Sequence, residues 1–122
     1  MSSTAPIDAA GTTADFADTA AAYFRDLQDR ICAAFERFEP VQRFESRGWK
    51  RPEGHRLQGG GQMRMMRGQV FEKVGVNVSH VWGVLDPKFR SQIPGGDLSG
   101  GQFVATGISL VAHMYNPYVP AV

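Results

Sequence analysis

Apolar positions recur first at helical and then at alternating spacing, and the change falls at Pro40. Phe16, Ala20, Tyr23/Phe24, Leu27, Ile31, Ala34/Phe35 and Phe38 follow one another at three- and four-residue steps. That spacing predicts an amphipathic helix over residues 15–38 with these side chains on its buried stripe. Asp15 and Asp18 suit its first turn and Arg37 its last, and Pro40 ends the pattern. Asp26, Arg30 and Arg37 fall on the opposite, solvated face.

Beyond Pro40 the period is two. Residues 41–50, around Phe44 and Trp49, read as a strand, and residues 52–61 as a loop ending in Gly59-Gly60-Gly61. Residues 62–67 and 70–82 read as two strands joined by a tight turn at Gly68-Gln69. In the second, Val74, Val76, Val78, His80 and Trp82 alternate with Gly75, Asn77, Ser79 and Val81. A Gly/Pro-rich connection fills residues 83–101, and a last strand starts at Phe103. In it Gly107, Ser109, Val111 and His113 share one face, and Ile108, Leu110, Ala112 and Met114 the other. A helix followed by hairpin-linked strands predicts an α+β fold, an antiparallel sheet flanked by helices. One helix covers only part of one sheet face, so the pattern is expected to belong to a larger flat-sheet domain.

Composition narrows the class without changing this picture. The chain has 122 residues, 43% hydrophobic and 20% charged, which fits one globular domain. A formal charge of +1 offers no bulk attraction for nucleic acid, and no apolar run reaches the roughly 20 residues a membrane span needs. Residues 1–14 carry no Lys or Arg and no apolar stretch, so they are expected to be a disordered tail rather than a signal or transit peptide. The single cysteine, Cys32, excludes an internal disulfide, fits a cytoplasmic location, and reads as a small packing residue in the helix. His55, His80 and His113 show no zinc-ligand spacing.

Four features are candidates for chemistry. The triple glycine lacks a phosphate-loop pattern and reads either as a flexible linker or as backbone open to a flat ligand. Arg64 and Arg67, interleaved with Met63, Met65 and Met66, suit an apolar ligand bearing carboxylates, with Arg51 and Lys73 as possible additions, or are solvated strand arginines. His80 beside Trp82 reads as a satisfied core histidine or as a ligand contact. Ser109 and His113 lie roughly 13 Å apart along a strand, too far for a Ser–His nucleophile pair, so they read as two contacts to one extended ligand, as two separate roles in one cleft, or as isolated polar residues on a wet sheet face.

Four segments carry a resemblance: Gly59-Gly60-Gly61, Gly68 to Gly83 (GQVFEKVGVNVSHVWG), Gly107 to His113 (GISLVAH) and Asn116 to Pro120 (NPYVP). In that order, they resemble the N-terminal part of oxygen-dependent coproporphyrinogen III oxidase, with the likeness running from about Tyr23 to Val122. Residues 15–122 are then expected to be the N-terminal part of a single oxidase domain.

The resemblance implies oxidative decarboxylation of two propionates of coproporphyrinogen III to the vinyls of protoporphyrinogen IX in haem biosynthesis. Molecular oxygen is the acceptor and no organic cofactor takes part. It implies a homodimer with Gly68, Gln69, Val70, Phe71, Glu72, Lys73, Val74, Gly75, Val76 and Asn77 at the interface. It also implies substrate contact at Ser109 and a divalent metal at His113. The family's proton-donating histidine, in a His-x-Asn-x-Arg motif, is expected at position 123, so the chain to Val122 is expected to hold no catalytic residue and to show no turnover alone. Tyr115 departs from the family, which usually has a polar or basic residue there. The alternatives are a non-enzymatic tetrapyrrole-binding or dimerisation module, or an unrelated α+β domain whose Met/Arg strand binds another anionic lipophile.

Overall fold

The computed structural model describes residues 11–122, with side chains from residue 15 onward. Helix α1 (Gly11–Glu36) precedes strands β1 (Glu45–Lys50), β2 (Leu57–Met66) and β3 (Phe71–Val84), a four-residue helix α2 (Pro87–Arg90) and strand β4 (Gln102–Met114). The strands form one antiparallel sheet in the order β1-β2-β3-β4, a meander in which each strand pairs with its sequence neighbour. The α+β expectation holds. No described helix is long and apolar enough to cross a membrane.

Helix α1 lies over β3 and β4. With α1 described from Gly11 to Glu36, Asp15 and Asp18 lie past its first described turn and Arg37 beyond its last residue. The rest of the expected N-terminal tail, residues 1–10, lies outside the described residues. The buried stripe is rotated by about one residue from the predicted one: Ala17, Ala21, Gln28 and Cys32 face the sheet, while Phe16 and Tyr23 are 67% and 55% exposed. Small side chains let the helix approach the sheet closely, and a buried Gln28 is tolerated because its Nε2 donates to the carbonyls of Gln62 at 3.0 Å and Val76 at 2.9 Å. On the wet face Asp26 and Arg30 form an i,i+4 pair.

The core gathers Cys32, Met66, Phe71, Val74, Val76 and Ala112, with Ile31, Phe35, Ile108 and Leu110 packed around them. Phe35 meets Phe71 edge-on at 5.1 Å. Each fully buried valine here contributes roughly 1.5–3 kcal/mol.

The glycine run is strand, not loop. Strand β2 begins at Leu57, and Gly59, Gly60 and Gly61 are paired to β3 on one side, with Gly60 and Gly61 also paired to β1. Poor intrinsic strand propensity yields because both neighbouring strands satisfy this backbone. After β4 the Asn116 Oδ1 accepts the Tyr118 N–H, the chain reverses, and Val122 exchanges both backbone hydrogen bonds with Ala112, at 2.8 and 3.0 Å.

Candidate functional site

Directly opposed residues of an antiparallel ladder point to the same side, so the register sorts the sheet into two faces. The side under α1 holds Met66, Val74, Val76, Ile108 and Leu110. The other side is uncovered among the described residues, and its cross-strand rows can be read directly. Arg47, Met63, Asn77 and Ser109 form one row across all four strands. Trp49, Gly61, Ser79 and Gly107 form the row on one side of it, and Glu45, Met65, Gly75 and Val111 the row on the other. Beyond these Lys73 stands opposite His113.

This face is therefore flat and apolar at its centre, where Gly61, Gly75 and Gly107 contribute no side chain and Met63, Met65 and Val111 are exposed. Arg47 and Lys73 place a cation at either end, with Ser109 and Asn77 side by side between them. Such a surface accepts a broad, apolar, carboxylate-bearing molecule. Ser109 and His113 share this face, as their spacing predicts, and both are exposed. Arg47 was not among the residues singled out from sequence; its alternation with Trp49 within β1 is the signal that identifies its face.

Of the two arginines predicted alongside Ser109, Arg64 is placed on the opposite side of the sheet, the α1 side, where its guanidinium binds the Asp29 carboxylate at 2.6 Å. Burial works against its charge, but the hydrogen bonds and charges of Asp29 and Cys32 together outweigh this and hold the cation more firmly than usual. Arg67 is exposed just beyond β2. Cys32 is the packing residue the helical pattern suggests, and burial pushes its thiol up, with Arg64 opposing. His80 and Trp82 are on the α1 side with ring centroids 5.2 Å apart, and the His80 Nε2 is 3.8 Å from an Asp18 carboxylate oxygen. Arg51 sits 5.6 Å over the Trp49 ring.

The segment Gly68–Asn77 forms the β2–β3 turn and the first half of β3. Its turn is built on a residue the sequence pattern did not flag. Glu39, only 3% exposed, accepts the backbone N–H groups of Gln69, Val70 and Phe71 at 2.8–2.9 Å. Burial alone would push this carboxyl up, but the three donors outweigh it and hold it below its usual range. Gly68 is required here because a Cβ would collide with the Glu39 carboxylate.

No group of three His, Cys, Asp or Glu side chains converges among the described residues. The nearest cross-strand neighbour of His113 is a cation, Lys73. The described residues therefore do not form a divalent-metal site at His113.

Residues 19–122 match the family model for coproporphyrinogen III oxidase. The oxygen-dependent coproporphyrinogen-III oxidase of Rickettsia felis is 46% identical over 113 residues, covering 85% of this chain and 39% of that protein. Those of Rickettsia akari and Rickettsia rickettsii are 46% and 45% identical over 108 residues, covering 81% of this chain and 37% of each. The chain thus spans somewhat under two fifths of the length of these curated relatives.

Proposed function

Because the chain belongs to the coproporphyrinogen III oxidase family, we propose that its uncovered sheet face forms one wall of a site for coproporphyrinogen III in an oxygen-dependent oxidative decarboxylation. In each of two rounds a propionate loses carbon dioxide and a β-hydrogen, two electrons pass to oxygen, and a vinyl remains. The observation that carries this reading is the row Arg47, Met63, Asn77, Ser109, flanked by three glycine positions and by Lys73 opposite His113. A flexible macrocycle needs a broad apolar seat, and its propionates need cations; Arg47, Lys73 and the exposed Arg67 supply them. Ser109 and Asn77 offer hydrogen bonds at the centre of that seat.

The Val122–Ala112 pair adds geometry. A chain continuing in this register sets position 123 opposite Val111, on the face shared by Ser109 and His113. A His-x-Asn-x-Arg motif starting there alternates onto that face, with its histidine over the macrocycle as proton donor.

The same reading assigns self-association to Gly68–Asn77, whose turn Glu39 fixes, and places the enzyme in the cytoplasm. Titration with coproporphyrin III, the stable oxidised analogue, tests the face. Saturable binding that weakens in Ser109→Ala and in Arg47→Glu supports it. Binding indifferent to both substitutions, or no binding at all, overturns it.

A further inference from the structure

On the other side of the sheet, between α1 and strands β1 to β3, lies an open-mouthed groove of about 500 Å³ that the roles above leave unused. Its origin is in the register. Lys50, Gly60 and His80 are opposed neighbours across three strands, so all three face α1, and the middle one has no side chain. Two strand spacings, roughly 9–10 Å, separate the flanking side chains, and the Gly60 backbone forms the floor between them. A Cβ on Gly60 would collide with the Trp49 carbonyl oxygen, so the slot is kept empty by the sheet itself.

Each wall has a distinct chemistry. Ala21 is small, so α1 does not fill the slot. Trp82, 44% exposed, presents its indole at one end beside His80. Arg25 and Lys50 also line the groove, and among the described residues no acidic side chain pairs with either. Asp18, the one acid in the lining, faces His80.

We propose that this groove binds a small planar aromatic carboxylate, its ring laid on the Gly60 backbone against Trp82 and its carboxylate held by Arg25 and Lys50. A flat floor one side chain deep selects a planar body, the exposed indole selects an aromatic one, and the two unpaired cations select an anion. The residues that carry the proposal, Lys50, Gly60, His80 and Trp82, lie on the side of the sheet opposite Ser109.

Amide and indole NMR of the 122-residue chain, titrated with 2-naphthoate and separately with neutral 2-naphthalenemethanol, tests the proposal. The expected result is saturable shifts of the Trp82 indole N–H and the Gly60 amide with naphthoate. The alcohol and the exposed-site variant Lys50→Glu should each bind about tenfold more weakly, the loss that one charge contact represents. Gly60→Val should abolish the shifts; because that variant endangers folding, Lys50→Glu, with an unchanged circular dichroism spectrum, carries the test. Shifts centred on Ser109 and Val111, equal binding of acid and alcohol, indifference to Lys50→Glu, or no saturable shift each overturn it.

Discussion

The Glu39 carboxylate accepts the backbone N–H of Phe71 at 2.8 Å, tying the third residue after α1 to the first residue of β3, 32 positions on. The same oxygen takes Val70, and the other takes Gln69. Three main-chain donors in one turn thus depend on one buried side chain. Glu39→Gln keeps one acceptor oxygen and loses the charge, so it should cost about 1–3 kcal/mol, and Glu39→Ala more. Urea unfolding followed by circular dichroism measures both. A loss below the error of the fit for either variant contradicts this role.

The same contact sets an acid limit on stability. The folded Glu39 carboxyl lies below its usual range, so the unfolded chain takes up a proton first as pH falls. Its stabilisation is therefore complete above the ordinary carboxylate range, near 4.3, and is lost as pH drops through the lower folded value. Denaturation midpoints taken from neutral to acid pH should fall in that window, and fall less in Glu39→Gln.

Gln28 should respond differently from its apolar neighbours. Its side chain is 1% exposed and joins β2 to β3 through two carbonyls, with Oε1 unpartnered among the described residues. Gln28→Ala removes both donors and leaves a cavity, for a loss of about 2–4 kcal/mol. Gln28→Leu fills the space but strands the carbonyls, and should recover only part. Thermal melts of the three proteins rank them.

Cys32 should be nearly inert to thiol reagents in the folded chain, since it is buried and its thiol is pushed up. Ellman's reagent should react slowly in buffer and at once in denaturant. Fast reaction in buffer would place Cys32 outside the core.

Alternation carried most of the strand reading. Val74, Val76 and Val78 declare one face of β3, and Ser109 and His113 declare their side of β4, because a period of two leaves few choices. The helix was equally legible as a helix but not in its orientation. Large aromatics suggested a stripe through Phe16 and Tyr23, whereas close approach to the sheet selects Ala17 and Ala21. Gln28 and Glu39 were hidden because a binary pattern counts every polar residue as wet, and their partners are backbone groups 30 or more positions away. The glycine run read as a loop because pairing on two sides is a tertiary property. Arg64 misled for a related reason: its carboxylate partner is Asp29 of the same chain.

The reversal that brings Val122 beside Ala112 also bears on how the chain meets other chains. Among the described residues, β4 is the long outer strand of the sheet, and its far rim offers unpaired main-chain donors and acceptors. Val122 occupies that rim at Ala112. Among the described residues the main-chain groups on that rim from about Leu110 back toward Gln102 have no strand beside them, and Gly107 interrupts them as a straight, flat template. The rim of β4 is thus guarded by two different means, a paired backbone at Ala112 and a glycine interruption at Gly107, and a charged residue introduced near Val104 would strengthen the second.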